Sequence, residues 1–502
     1  MLAKLKNSLF SDFIIYGLGS VISRSIGLIL TPFLAHALLP REFGIINLAN
    51  TTAYFIGIFV VFSLDAAAGR WFFDTTDENY RKSTIANWFW FQFSACIVVV
   101  IIAAIFSAPI SRLIFLQPDS ALYFLLPVLS LPFNAFAMVY QNLERFRKRP
   151  LSVTLFNIML TVFNVVFILF FLLYLKKGIM GYFLGQLITL IILATFAFIR
   201  MHGWIHPKHI SIPRLKEMLR FSLPMVPTAI AFWLLNSSAV YFLNYILKDK
   251  TEVGLFGIGA SIAALITLVT TSFQQAWGVF FMSVYQQQDT PARVSRIANA
   301  FVIISFLLWL FICLYSPEFL IIFAKPSYYA AAWVPPILSL GPIVYSFAYF
   351  TQVGCYVEKN MRPLATSVLL AGILSVIFYF ILIPAFGKEG AAFATVAGQL
   401  LIPVYLYLKG NKYYPVRYNI TLVIFVILTA LVTGIIGRTV VIHSLLGLAF
   451  VKLAFLLGYL LVCIKWLSIF DKPSYQTLVS YIVKLKIYLN VRNSRAHVPS
   501  QQ

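Results

Sequence analysis

Residues 150–175 read PLSVTLFNIMLTVFNVVFILFFLLYL, 26 positions without one Asp, Glu, Lys or Arg. A helix rises about 1.5 Å per residue, so about 20 apolar residues cross the hydrocarbon layer of a bilayer. This stretch is long enough, and it is apolar all round. Basic residues crowd its edges: Arg145, Arg147, Lys148 and Arg149 precede it, and Lys176 and Lys177 follow. The same pattern recurs outward in both directions. Residues 83–111, 120–143 and 253–288 are likewise free of charge. A spanning β-barrel would instead show segments of about 10 residues with alternating character. The reading is an all-α integral membrane protein.

Composition agrees. Hydrophobic residues make up 61% of the 502 and charged residues 11%, against about 45–50% and 25% in a soluble domain. The 48 Phe, 26 Tyr and 9 Trp exclude a disordered chain. The net charge of +22 sits in short gaps between apolar runs, so no nucleic-acid partner is indicated. Cys96, Cys313, Cys355 and Cys463 lie inside apolar runs without paired spacing, so neither a disulfide framework nor a metal site is expected. Residues 1–10 carry Lys4 and Lys6 but no cleavage-site pattern, so no signal peptide is expected.

Fourteen spans are predicted, at about 10–36, 44–66, 84–108, 120–142, 150–174, 179–200, 220–246, 252–284, 296–318, 334–356, 363–385, 389–408, 418–438 and 443–466. With the N-terminus inside, inner segments hold 27 Lys and Arg and outer loops hold 9. The positive-inside rule then places both termini in the cytoplasm. The tail from Asp471 reads either as a helix on the anionic inner surface or as a loosely ordered basic segment.

An internal repeat runs at an offset near 210. Phe10-Ser11 matches Phe221-Ser222, Glu42-Phe43-Gly44 matches Glu252-Val253-Gly254, and Gly178-x-x-Gly181 matches Gly387-x-x-Gly390. An even number of spans separates the matches, so the two units share an orientation. The expected domains are a lobe over 1–207, a second lobe over 208–411, an extra helix pair over 412–470 and a basic tail over 471–502. A cavity between the two six-helix lobes is the default site.

A hydrated cavity needs polar residues recurring on one helix face. In the first span Gly17, Ser20, Arg24, Gly27 and Thr31 follow at three- and four-residue steps. An arginine near mid-span costs at least about 2.5–3.5 kcal/mol unless hydrated or paired. It is either an anion contact or the partner of a carboxylate on another helix. Further stripes are Asn47, Asn50, Thr51 and Tyr54; Thr154, Asn157, Thr161 and Asn164; Trp233, Ser237, Tyr241 and Asn244; Thr267, Thr271, Gln274 and Gly278, with Gln275 and Trp277 beside them; and Tyr345, Tyr349, Gln352 and Tyr356. Amides, hydroxyls and aromatic faces suit sugars, and they also bind membrane helices to one another. Near the inner face lies the segment from Asp65 to Arg81, with Arg70 and Trp71 at its centre; Arg70 either recruits an anionic headgroup or anchors the interface beside Trp71. Lys452 stands inside the last span.

Five blocks carry a resemblance. They are Leu39-Pro40-x-Glu42-Phe43-Gly44; Leu64-Asp65-Ala66-Ala67-Ala68-x-Arg70-Trp71-Phe72; Arg220-Phe221-Ser222-Leu223-Pro224; Val253-Gly254-Leu255-Phe256 through Gln275-Ala276-Trp277; and Ile383-Pro384-x-Phe386-Gly387-x-x-Gly390-Ala391-Ala392. Over about residues 8–410 the chain resembles the polysaccharide transporters of the multidrug/oligosaccharidyl-lipid/polysaccharide exporter superfamily, the O-antigen-type flippases. The resemblance implies a two-lobed, V-shaped helical fold in a bacterial inner membrane. It implies translocation of a polyprenyl-pyrophosphate-linked glycan (O-antigen or exopolysaccharide type) from inner to outer leaflet by alternating access, with cavity cations such as Arg24 meeting the pyrophosphate. Partners implied are the bilayer, a polysaccharide polymerase and chain-length machinery. The seventh span departs from a common family pattern: Ser238-Ala239-Val240 stands where many members carry a charge.

Two other functions compete. A cation-coupled multidrug exporter needs a carboxylate deep in the bundle, and of 16 acidic residues only Asp12 and Asp65 approach span interiors. A membrane glycosyltransferase, polymerase or ligase needs carboxylates or a large outer loop for acid–base work, and the outer loops are short. A peptidoglycan or teichoic-acid precursor remains an alternative substrate. No cofactor and no catalytic set is expected, and the chain reads as a non-enzyme.

Overall fold

The structure, a computed structural model, describes residues 29–117, 120–440 and 445–476. The described residues are helical throughout, without a strand. Eleven helices among them are long and apolar enough to cross a membrane, or twelve when the pair Lys250–Ala263 and Leu265–Val284, bent by 45°, counts as one span. The count of fourteen is not confirmed among the described residues. Most of the first expected span, over 10–36, lies outside the described residues. Two further expected spans, 363–385 and 389–408, fall within the single element Arg362–Gly410.

That 49-residue element is not straight. Gly387 adopts φ +54°, ψ −130° inside it, and the two arms fold back antiparallel. The Tyr379 and Thr395 hydroxyls are hydrogen bonded at 2.9 Å, and Gly398 and Gly390 sit against Ala371 and Leu382 of the facing arm. Glycine is required at the corner because a Cβ strongly disfavours positive φ. Gly178, its repeat mate, has φ +55° and makes the corresponding corner between Pro150–Tyr174 and Gly178–Met201. Three residues beyond each corner, Gly181 and Gly390 lie against a backbone carbonyl of the preceding arm, Phe171 and Leu382 respectively. The repeated Gly-x-x-Gly is thus one turn design used twice.

The two corners differ in surroundings, and this sets a prediction. A Cβ at Gly387 would meet Glu252 Oε2 at 2.8 Å, whereas one at Gly178 meets nothing within 4 Å. Glu252 there accepts from the Lys388 backbone N–H at 3.0 Å and pairs with Lys388 Nζ at 3.2 Å. Gly178→Ala is expected to cost the conformational penalty alone, about 1–2 kcal/mol. Gly387→Ala should cost about 1 kcal/mol more by displacing that carboxylate. Denaturant unfolding of the purified variants measures the difference, and equal losses would contradict it.

Other expected spans are interrupted where the backbone says so. The second is Pro40–Val61, ended by Phe62 and Ser63 in the left-handed region, after which Leu64–Phe73 begins. The seventh is divided into Ile212–Ser222, a 3₁₀ turn over Leu223–Met225, Val226–Asn236 and Ala239–Leu247. Pro224 and Pro227 each remove an N–H from the helical ladder there, and the break at Ser237 separates the last two pieces.

The described residues form two compact units. One runs to Ser272 and includes Pro317–Gly341 and Leu364–Ile402; the other comprises Phe273–Ser316, Pro342–Pro363 and the chain from Pro403. In the first, Pro40–Val61 and Lys250–Ala263 cross backbone against backbone at Gly44 and Gly254. A Cβ on Gly44 would overlap the Lys250 carbonyl, and one on Gly254 would overlap that of Pro40. Residue 250 is the repeat mate of 40 and residue 254 that of 44, so the crossing is locally two-fold. In the second unit, Trp277, Phe273, Phe301 and Phe350 stack into an aromatic core. Large apolar side chains such as Ile101, Ile102 and Ile105 are exposed along the helices, as lipid-facing residues are.

Candidate functional site

The first unit holds a cavity of about 590 Å³. The Pro40–Val61 helix supplies Asn50, Tyr54 and Gly57 at helical spacing, and the corner beyond it supplies Ser63 and Asp65. Ser130, Asn134 and Met138 come from the facing span at steps of four, Asn164 from Pro150–Leu169, and Gln186 from Gly178–Met201. The facing span is broken to make room. Pro127 and Pro132 leave the Ala121–Leu129 and Leu131–Phe146 helices meeting at Ser130, whose hydroxyl donates to the Pro127 carbonyl at 2.6 Å.

Among the described residues the polar wall is hydroxyls and amides with one carboxylate. Asn50 Nδ2 donates to the Tyr182 hydroxyl at 3.0 Å, and Gln186 Nε2 donates to the same oxygen at 3.3 Å. Asn134 is exposed into the cavity, and Asn164 is half-buried. Asp65 stands in the first turn of Leu64–Phe73, where the helix dipole favours a negative charge. These groups offer donors and acceptors in several directions, beside apolar surface from Leu131 and Met138. That mixture suits a polyhydroxylated ligand.

Of the residues singled out in the sequence, the cavity brings together Asn50, Tyr54, Asp65 and Asn164. Arg24 and Ser20 lie outside the described residues. Arg70 is exposed beside the Trp71 and Phe221 rings, at 5.7 and 5.2 Å. Asn47 turns back to the Phe43 carbonyl at 3.0 Å, at the crossing with Lys250–Ala263. Asn157 is half-buried away from the cavity, and Ser237 ends the Val226–Asn236 helix. Asn244 is buried and donates to the Ile114 carbonyl at 2.8 Å, tying two helices together. In the second unit, Gln274 donates to the Ser346 hydroxyl at 3.1 Å, Gln275 is exposed, and Gln352 is buried. Trp277 is buried and donates to the Tyr349 carbonyl at 3.0 Å. Lys452 is also buried there, its ammonium donating to the Leu314 carbonyl at 2.6 Å.

The reading by stripes passed over Ser63, Ser130, Asn134 and Gln186. The i, i+4 steps Ser130–Asn134–Met138 and Tyr182–Gln186–Leu190 carry the signal, on two spans whose apolar neighbours dominate their composition.

Beyond the corner at Phe62–Ser63 the same bundle ends in basic residues. Arg81, Lys82, Arg147, Lys148, Arg149, Lys208 and Arg214 gather around Trp204 and Tyr80. His209, between spans, is held below its ordinary pKa by partial burial first and then by Lys208, Lys82 and His206.

The chain matches the model of the polysaccharide biosynthesis protein family over residues 9–283. It belongs to that family. A curated relative, the "Putative O-antigen transporter" of Escherichia coli (strain K12), is 21% identical over 397 residues, covering 76% of this chain and 92% of that protein. Among solved structures, the lipid II flippase MurJ in an inward closed conformation aligns with TM-score 0.70 at 15% identity, over 93% of this chain and all of that one. An inward-facing multidrug resistance MATE family transporter of the MOP superfamily aligns with TM-score 0.64 at 16% identity, over 78% and 94%. The fold is that of this group of multi-span transporters.

Proposed function

We propose that the protein is a flippase that moves polyprenyl-pyrophosphate-linked oligosaccharide units, of O-antigen or exopolysaccharide type, from the inner to the outer leaflet by alternating access. The carrying observation is the cavity wall: hydroxyls and amides from four spans, with apolar surface between them, in a chain of the polysaccharide family. The curated relative carries the name "Putative O-antigen transporter", and the lipid II flippase shares the fold. In this reading both termini are cytoplasmic, the basic end of the bundle faces inward, and the Gly44–Gly254 crossing closes the outer end. The protein moves its substrate without altering it, so no catalytic group or cofactor is involved. The polymerase and chain-length machinery act on the product outside.

The test is lipid analysis. Deleting the gene should cause a complete polyprenyl-pyrophosphate glycan to accumulate in extracted membranes, and the wild-type gene should clear it. Asn134→Leu removes an amide exposed into the cavity, and a lost hydrogen bond is worth about 0.5–1.5 kcal/mol. Export should fall by roughly 2- to 12-fold, with the protein level unchanged. A deletion strain with no accumulating lipid and intact surface glycan would overturn the reading.

One observation favours a second reading. Among the described residues Asp65 is the one carboxylate lining the cavity, and a cation-coupled exporter would use it to carry a proton or sodium ion. Asp65→Asn would then abolish export of small cationic drugs while leaving surface glycan intact.

A further inference from the structure

A second pocket, of about 530 Å³, opens at the basic end of the bundle and has no part in the cycle described above. It lies where Leu64–Phe73, the start of Glu78–Ile105 and the turn after Leu131–Phe146 meet. Four cations line it: Arg81, Arg147, Lys148 and Arg149. The lining carboxylate, Glu78, is already paired with Lys82 at 2.7 Å. Glu144, buried behind the turn, lies 2.8 Å from Arg147 and 3.7 Å from Arg149. One carboxylate thus serves two guanidiniums, and Arg81 and Lys148 have no ion pair among the described residues. The pocket carries net positive charge.

Its parts are held in place before any ligand arrives. Arg81 donates through Nε to the Phe72 carbonyl at 3.0 Å and lies 4.8 Å over the Phe72 ring, which leaves both Nη groups for an anion. Lys148 sits at φ +56° in a turn closed by bonds from its own N–H to Arg145 and from the Arg149 N–H to Glu144. Beside these cations Phe73, Phe146 and Trp204 supply an apolar wall, with Trp204 5.3 Å from the Arg147 guanidinium. A free anion gains nothing from that wall, whereas a phosphate carried on a hydrocarbon chain gains from both sides.

We propose that this pocket binds the phosphate ester of a membrane lipid, its phosphate against Arg81, Lys148 and Arg149 and its first chain carbons against Phe73, Phe146 and Trp204. Basic pockets between helices at the membrane boundary take such headgroups. The site lies outside the cavity assigned to transport, and its test measures lipid binding without any readout of export.

Native mass spectrometry of the full-length protein in neutral detergent tests it, with phosphatidylglycerol, farnesyl pyrophosphate, diacylglycerol and inorganic pyrophosphate as separate probes. One lipid should bind per chain, diacylglycerol should not, and K148Q/R149Q should weaken binding at least tenfold. Arg145→Gln, an exposed neighbour outside the pocket, should change nothing. Tighter binding of phosphatidylglycerol names a resident phospholipid, and tighter binding of farnesyl pyrophosphate names an isoprenyl-linked lipid. Inorganic pyrophosphate bound as tightly as either lipid overturns the proposal. So does equal lipid binding by the double variant, or equal loss in R145Q. The single variants K148Q and R149Q are read in the same way, each with a smaller loss, should the double variant not fold.

Discussion

Gly254→Leu is expected to abolish export while the protein still inserts in the membrane. At this position the Cβ alone would overlap the Pro40 carbonyl and reach the Gly44 N–H at 3.1 Å. These are backbone atoms, so no rotamer change relieves the collision, and the two helices must separate. Overpacking costs about 1–3 kcal/mol in a well-packed interior, and here three further heavy atoms, Cγ, Cδ1 and Cδ2, follow the Cβ. If the crossing closes the outer end of the cycle, that cost falls on the closed state and not on the open one. A loss of about 3 kcal/mol lowers the closed population roughly 150-fold. Thermal melts and lipid extraction together read the effect. Gly203→Ala, with open space within 4 Å, is the neutral comparison. Gly44→Ala and Gly254→Ala should also couple, because each relieves the collision the other makes once the helices have moved apart. Full export by the leucine variant would show that the crossing never needs to be this tight.

That the chain crosses a membrane many times was legible from uncharged runs such as 150–175, because burial in lipid leaves no freedom to place charges. The repeat was legible for a different reason. Gly178 and Gly387 both need a positive φ, which glycine adopts at the least cost, so the letters persist at the offset. Glu42 and Glu252 show where a repeat misleads. Glu42 caps its own helix at the Leu39 N–H, 2.8 Å away, whereas Glu252 reaches across to Lys388. The same letter performs two tasks.

The site was less legible, for a physical reason. Polar residues at helical spacing identify a face, and a face can meet water or another helix. Asn244 and Asn50 look alike in sequence. Asn244 holds the Ile114 carbonyl in the interior, whereas Asn50 reaches Tyr182 at the edge of the cavity. Which partner stands opposite depends on helix rotation and crossing, which periodicity does not encode. The basic pocket was hidden otherwise. Arg145, Arg147, Lys148 and Arg149 read as topology, and only the turn at Lys148 separates the three that line the pocket from the one that does not.

Arg24→Ala is expected to stop glycan export altogether, with the lipid-linked repeat unit accumulating to the level of the deletion strain. A guanidinium in the middle of an apolar span costs at least about 2.5–3.5 kcal/mol, and no acidic residue lies within one helical turn of it in the sequence. Such a charge is retained where it gains more than it costs. A pyrophosphate offers that gain, through two charge-assisted hydrogen bonds to a fork of fixed geometry. Charge-assisted bonds contribute about 1.5–3 kcal/mol each, so losing two is worth roughly 150-fold or more in binding. Arg24→Lys separates the two components. Partial export by the lysine variant means that charge suffices. Its failure means that the bidentate geometry is required. Wild-type export by Arg24→Ala, at equal protein level, would remove Arg24 from the substrate path and leave the cavity amides to carry recognition alone.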